Sequence, residues 1–355
     1  MADTPPAEAA AAPAAPAPKG VWGAVLTATP IALTALATAF AGLSSSEMTR
    51  AMYYRSLAAQ HQSRAGDQWA FFQAKRIRGT TLESTVETFQ AMVHPDGFDP
   101  FLMGPALQSL RGHLAKSPQS DGAIAAIEKA EARLPPGPAG SSPLGGGDLP
   151  KVELHSIPDP ANRQIYEEVI RAIQQRQTED ETAALVAKLS PAVIEEATRL
   201  AETDADLFDK ACEPTNELVK QLKAAFRDLA QAMYLLRRGR GAMAPTPEGI
   251  AEFDRLDASF RMAVMDYEAR RYRQEANLNR RAAEAYEVRV RRSGVESDRH
   301  RQRSQQFFYS MLLAQLGATV SALALARAQR SLLWLLAAAA GVVALCFTGY
   351  VYLTY

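Results

Sequence analysis

Residues 66–79, Gly-Asp-Gln-Trp-Ala-Phe-Phe-Gln-Ala-Lys-Arg-Ile-Arg-Gly, gather the most distinctive set of chemically capable side chains in the chain. On a helix Asp67, Phe71 and Ala74 lie near one face, while Gln68, Phe72, Lys75 and Arg76 lie near another. Trp69 and Phe72, with Gln73 and Arg76, make a stripe suited to packing against a second helix, with polar pairing at its edge. Catalysis would need a nucleophile beside a base, or two carboxylates facing one cleft. Neither spacing occurs here, so the segment reads as a packing and assembly element, with a ligand site as the alternative.

The remaining reactive residue types are scattered. His61, His94, His113, His155 and His300 stand singly, without the i, i+4 or paired-cysteine spacing of a metal site, and read as surface or interfacial histidines. Cys212 lies in a polar region and Cys346 in an apolar run, which makes a disulfide between them implausible. Gly145–Gly147 is no phosphate loop, because the lysine of that motif is absent and no helix begins directly after it. Charge is balanced, 39 basic against 39 acidic residues, so no global field draws nucleic acid. No catalytic, metal-binding or cofactor-binding residue and no cofactor is expected. The chain reads as non-enzymatic; an enzyme whose site is assembled between helices without leaving a motif is the weakest of three readings.

The elements that would position these residues start from the membrane. Residues 306–326 and 331–352 are two apolar runs separated by Arg327-Ala-Gln-Arg330. Each is about 20 residues long, the length a helix needs to cross roughly 30 Å of hydrocarbon, which predicts a transmembrane hairpin. Residues 21–43 form a third such run, with Pro30 predicting a kink that neighbouring helices can tolerate. Ala39-Phe40-Ala41 resembles a signal-peptide cleavage site, but the length of the run and the single Lys19 before it favour a permanent anchor. Residues 1–20, rich in Ala and Pro, read as a disordered tail.

Within the hairpin, Ala314, Ala318, Ala322 and Ala326 repeat every four residues, with Gly317 and Ser321 adjoining. Small residues at that spacing let helix backbones approach, and Ala337 and Gly341 offer a facing groove. Gln315 and Thr319 are the conspicuous polar groups at depth, and no ionisable residue marks an ion path. Basic residues flanking the spans are Arg50, Arg55, Arg289, Arg291, Arg292, Arg299, Arg301 and Arg303 on the central side, against Lys19, Arg327 and Arg330 on the other. That count favours a cytoplasmic central region in a bacterial inner membrane. Arg299, Arg301 and Arg303 are placed for lipid phosphates.

The central region reads as helix throughout. Residues 44–133 comprise a helical extension of the first span to about Met92, a stop at His94-Pro95-Asp-Gly97, and short helices near 105–116 and 119–133. Residues 134–150, rich in Pro, Gly and Ser, read as a flexible linker. Residues 151–305 form a helical domain with long antiparallel helices. Asp159-Pro160, Ser190-Pro191 and Thr246-Pro247 mark three helix starts, each with a capping oxygen before a proline. From 204 to 238, Leu207, Ala211, Leu218, Leu222, Ala225, Leu229, Met233 and Leu236 form an apolar stripe, with a kink or a break and restart at Pro214. Ile250, Phe253, Leu256, Phe260, Val264 and Tyr267 form its partner after a turn at 237–245, giving a coiled-coil-like pair. The helix from Pro247 has no further proline and is expected to run into the second span as a stalk. Its charged part, Arg270–Arg281, reads as a solvated face of i, i+4 pairs, with a surface for lipid or a partner as the alternative.

Two blocks carry a resemblance. Asp67-Gln-Trp-Ala-Phe-Phe-Gln-Ala-Lys75 resembles the DQWAYYQAK-like signature of the bacterial membrane family DUF4337, a domain of unknown function. Asp298–Gly317 and Ser331-Leu-Leu-Trp334 are similar to the carboxyl-terminal hairpin of that family. The resemblance implies one span, a helical stalk and two further spans, and it implies no activity; residues 95–240 depart from it as an elaboration. The fold expected is therefore all-α, an integral membrane protein with three transmembrane helices. The leading function is a non-catalytic membrane-anchored helical scaffold that self-associates. The alternative is an oligomeric channel or transporter-like assembly with the helical domain as vestibule. Expected partners are the lipid bilayer, further copies of the chain in a homo-oligomer, and an unidentified protein; nucleic acid is not expected.

Overall fold

Proline following a capping oxygen opens three helices. The computed structural model describes residues 21–93, 103–115, 121–132, 144, 147–238, 246–326 and 332–354. In chain order the helices are α1 (Val21–Val93), α2 (Met103–Leu114), α3 (Asp121–Glu131), α4 (Pro160–Gln174), α5 (Glu179–Ala187), α6 (Pro191–Arg238), α7 (Pro247–Ala326) and α8 (Leu332–Thr354). Asp159 accepts from the Ala161 amide at 3.2 Å, Ser190 from Val193 at 3.3 Å, and Thr246 from Gly249 at 3.2 Å. Each satisfies one of the amides that a helix start leaves without an internal partner, while the proline contributes none. The short α5 is opened by a capping box between Thr178 and Glu181. The close of α4 places Arg176 at φ 54°, with Arg176 N–H on the Ile173 carbonyl and Gln177 N–H on that of Ala172. That is a Schellman closure with arginine where glycine is usual. No strand occurs among the described residues.

The tail 1–20, the stop at 94–97, the turn residues 239–245 and 327–330, and most of the linker 134–150 lie outside the described residues. Leu144, inside that linker, is 1% exposed and joins the core of α2, α3, α6 and α7. The Arg270 guanidinium donates to the Gly147 carbonyl at 2.7 Å. At these points the segment is packed, because an apolar side chain and a guanidinium each find a partner that a free tether lacks.

The chain divides into two units. The first comprises the described parts of Met1–Ala59 and Arg291–Tyr355, and the second is Gln60–Val290. Helices α1, α7 and α8 each hold a segment long and apolar enough to cross a membrane.

In the first unit the apolar parts of these three helices meet. Ala37, Phe40, Ala314 and Ala344 form a buried cluster. Ser44 and Ser304 exchange hydroxyl-to-carbonyl hydrogen bonds at 2.9 and 2.8 Å, which requires the α1 and α7 backbones to lie close together. The hydroxyls of Thr27, Thr29, Thr34 and Thr38 return to carbonyls of their own helix, so α1 carries them without unpaired donors. The Trp334 indole donates to the Thr29 hydroxyl at 3.3 Å.

The small-residue stripe of α7 follows a different phase from the repeat of four. Ser310, Ala314, Gly317, Ser321 and Ala324 are buried, Ala318 is half-buried, and Ala322 and Ala326 are exposed. Steps of four advance 400° on a helix of 3.6 residues per turn, so the repeat drifts off its face; alternating steps of four and three stay on it. Gly341 is buried as well.

In the second unit α6 stays one helix through Pro214. Pro214 is exposed, so the missing amide and the displaced carbonyl face outward where water can answer them. Ion pairs join Arg237 to Asp254, Lys223 to Glu268 and Arg281 to Asp204, so residue numbers fall along α6 as they rise along α7, the order of an antiparallel pair. The stripe predicted after Pro214 is close to the core observed: Leu222, Ala225, Leu229, Met233 and Leu236 are buried with Phe253, Phe260, Val264 and Tyr267. Phe226 stacks on Phe260 with ring centroids 4.0 Å apart. Before Pro214 the phase differs. Leu207 is 38% exposed and Ala211 half-buried, while Asp204, Phe208 and Cys212 are buried. The buried face there includes a carboxylate, which an apolar pattern passes over.

A β-carbon on Gly317 would lie 3.1 Å from the Ala337 carbonyl oxygen and 3.3 Å from both Ala340 and Leu33, whereas Gly349 has open space. Gly317→Val should therefore destabilise the first unit by roughly 1–3 kcal/mol, and Gly349→Val should leave it unchanged. Melting of the detergent-solubilised protein measures the difference.

Candidate functional site

A concentration of polar contacts in the second unit surrounds Asp204, on the buried face of α6. Its carboxylate is 0% exposed. It accepts the His155 backbone amide at 3.1 and 3.2 Å, the His155 Nδ1 at 2.6 Å and the Arg281 Nη1 at 2.8 Å. The Arg281 Nη2 donates to the His155 carbonyl at 3.0 Å. One carboxylate thus ties the extended segment before α4 to both α6 and α7. Arg163 adds a second tie, giving two guanidinium N–H groups to the Ile157 carbonyl at 3.0 and 2.8 Å. A buried carboxylate is tolerable only when paired and hydrogen-bonded, and this one is both.

A cavity of about 400 Å³ opens beside this joint. Ile157, Ile170, Leu200 and Ala201 give it an apolar wall, and Tyr166, Arg171, Arg281 and Glu284 are among its polar groups. Burial, reinforced by the Glu284 carboxylate, pushes the Tyr166 phenol well above its ordinary range, so it stays a protonated donor. Glu284 accepts the Gln174 amide at 2.8 Å.

Along α1 and α7 of the same unit, polar side chains meet in cross-helix pairs. The Trp69 indole donates to Glu287 at 2.7 Å. Lys75 pairs with Glu275 at 3.1 Å, and Glu275 also takes Arg271 at 3.1 Å. Glu83 pairs with Arg273. The Tyr286 hydroxyl donates to Glu202 at 2.5 Å and accepts from Arg64 at 3.4 Å. At Gly79 a β-carbon would lie 3.4 Å from the Ala269 carbonyl oxygen, so the two backbones run close.

The stripe read from the sequence is only partly joined to this contact. Trp69 and Phe72 are half-buried and pack edge to face at 5.4 Å, and Arg76 lies over the Phe72 ring at 5.8 Å. Gln73 and Arg76 themselves are exposed. Within Arg270–Arg281, Arg270 pairs with Asp266, Arg271 with Glu275 and Arg280 with Glu284 one turn away, while Arg273 and Arg281 reach other helices.

In the first unit, His300 Nδ1 lies 2.5 Å from Glu47, and the His300 ring stacks on Tyr54 at 5.4 Å. Arg50 approaches the second Glu47 oxygen at 3.3 Å. Arg299 and Arg301 are exposed and Arg303 is half-buried. Gln315 and Thr319 are exposed, with the Thr319 hydroxyl on the Gln315 carbonyl at 3.0 Å.

Sequence reasoning missed the roles of His155, Asp204 and His300. Single histidines show no spacing to a carboxylate far away in the chain. The available signal was Asp204 itself, which continues the phase of Ala197 and Ala201 into Phe208 and Cys212 and so marks a charge on the buried face. Cys212 is buried, and burial raises its thiol pKa, which keeps it protonated and a poor nucleophile. Tyr267, pushed up to about 12 first by burial, donates its hydroxyl to Asn216 at 3.0 Å. Among the described residues, no group of three His, Cys, Asp or Glu is placed to hold a metal ion.

The described chain is thus an all-helical protein with three helices long and apolar enough to cross a membrane. A family model described as a domain of unknown function, DUF4337, matches residues 22–99. That match takes in the Asp67–Lys75 block and nearly all of α1, while Asp298–Trp334 lies beyond it. No curated protein and no solved structure matches the chain.

His61 yields a test of these environments. Its ring is buried, its Nδ1 has no partner among the described residues, and the Tyr286 ring lies 6.2 Å away. Burial, then the charges of Arg289 and Arg64, lowers its pKa from 6.5. The unfolded chain therefore takes up the proton first as pH falls, and stability present above pH 6.5 is lost below it. Denaturant midpoints should drop as pH falls from 6.5 toward the lowered value, and His61→Gln should flatten that part of the profile.

Proposed function

We propose that the protein is a membrane-anchored helical scaffold that works by holding helices and copies of itself together rather than by catalysis. The observation that carries this reading is the use of polar side chains along α1 and α7: Trp69, Lys75, Glu83, Glu275 and Glu287 are joined across the helix contact. Groups spent on one another in this way fix helix register and leave little to act on a substrate.

The anchor we infer comprises residues 21–43, 306–326 and 332–354, the last two as a hairpin, with the helical region between them as a stalk on the cytoplasmic side of an inner membrane. Large apolar side chains point outward on all three helices, among them Ile31, Leu312, Leu316, Leu323, Leu335 and Val342, which suits a hydrocarbon surrounding. Arg299, Arg301 and Arg303 then lie at the level of lipid phosphates. The Trp69, Phe72, Gln73 and Arg76 stripe serves assembly, with exposed Gln73 and Arg76 available to a partner helix.

Self-association is supported by Gln315. Its side-chain amide is exposed among Leu312, Leu316 and Leu323 and has no partner among the described residues. An amide in hydrocarbon gains about 1–2 kcal/mol from an interhelical partner, and a second copy presents the same group.

Mass photometry of the full chain in nanodiscs should report one defined oligomer, which Gln315→Leu shifts toward monomer. Planar bilayers containing the protein should show no conductance. A conductance that Gln315→Leu or Thr319→Val abolishes would contradict the scaffold and favour a pore.

A further inference from the structure

The cavity beside Asp204 has the composition of a ligand site rather than of a packing defect. Its apolar wall is Ile157, Ile170, Leu200 and Ala201, and its volume of about 400 Å³ falls in the range of small-molecule pockets. Its charged lining consists of Arg163, Arg171 and Arg281 against Glu167 and Glu284; Arg281 is paired with Asp204, which leaves Arg163 and Arg171 as the cations without an ion pair among the described residues. The joint at Asp204 holds Arg281 and His155 in fixed positions, and the Ile157 carbonyl holds Arg163. The wall facing a ligand is therefore preorganised, which lowers the ordering cost of binding.

Two donors at this cavity remain without a protein acceptor among the described residues. The Tyr166 hydroxyl lines the cavity and meets no hydrogen-bond partner, and Arg171, exposed on the following turn of α4, forms no ion pair. Tyr166 is half-buried, its ring against the core of α4, α5 and α6, and its hydroxyl is free to donate into the cavity. An acceptor that also carries negative charge would satisfy both groups, and the apolar wall calls for a compact hydrocarbon body attached to it.

We propose that this cavity binds a small amphipathic carboxylate, its hydrocarbon body against Ile157, Ile170 and Leu200 and its carboxylate accepting from Tyr166 and Arg171. The cavity is formed within the second unit alone, so the site stands independently of the membrane arrangement and of self-association.

The test uses the full chain in nanodiscs, titrated with phenylacetate, its neutral analogue phenylacetamide and its cationic analogue phenethylamine. Phenylacetate should raise the unfolding temperature saturably and bind at least about tenfold more tightly than either analogue, a preference typical of one charge-assisted contact. Leu200→Trp, which fills the apolar side, should abolish the shift. Tyr166→Phe and Arg171→Gln, which change only the polar end, should each weaken binding about tenfold. The exposed position of Arg171 makes its variant informative even if Leu200→Trp folds poorly. No saturable response to phenylacetate, equal response to all three probes, or full binding in both Tyr166→Phe and Arg171→Gln overturns the proposal.

Discussion

The helical unit formed by Gln60–Val290 depends on one buried carboxylate. Asp204 sits where the spacing of α6 calls for an apolar residue, and it accepts from a backbone amide, an imidazole and a guanidinium drawn from two other segments. Removing a charged pair from water is costly, and the pair is retained only where the geometry answers every lone pair. Here the result is positional: residues 155–157, which have no secondary structure of their own, are fixed against α6 and α7, and Arg163 reinforces the same segment through Ile157. The cavity exists because that segment is held, and α4 begins just beyond it at Pro160.

The unit formed by the described parts of Met1–Ala59 and Arg291–Tyr355 solves a different problem by the same rule. Its helices have little but small and apolar side chains with which to recognise one another. Close approach is therefore set by Gly317 and Gly341 against Leu33 and by the reciprocal Ser44–Ser304 bonds. Where a charge is buried, as at Glu47, His300 and Arg50 answer it. In both units the polar groups serve to choose which faces meet; apolar burial supplies most of the driving force in the second, whereas helices surrounded by hydrocarbon rely on close packing and hydrogen bonds.

Much of this architecture was legible in the sequence because it rests on local chemistry. The three Asp/Ser/Thr–Pro starts, the uninterrupted run of α1 and the three apolar segments follow from capping, proline placement and length. The faces were harder to read. The alanine repeat of four pointed to Ala318 and Ala322, yet the buried row is Ser310, Ala314, Gly317, Ser321 and Ala324, since only the latter keeps phase with the helix. Leu207 and Ala211 looked like core, yet Phe208 and Cys212 occupy it, because the phase there is set by Asp204. Pairing of single histidines with distant carboxylates depends on the fold and left no spacing to detect. Leu144, embedded in a Pro/Gly-rich stretch, is buried by helices that only the fold brings to it.

The direct test of the Asp204 joint is hydrogen–deuterium exchange at the backbone amides of residues 153–157 in the wild type and in Asp204→Ala. If the carboxylate holds this segment, the His155 amide is protected in the wild type. The substitution should then speed exchange there while costing roughly 1–3 kcal/mol of stability, since it removes charge-assisted hydrogen bonds but leaves Arg281 and His155 partly exposed to water. Equal protection at His155 in both proteins would contradict the account.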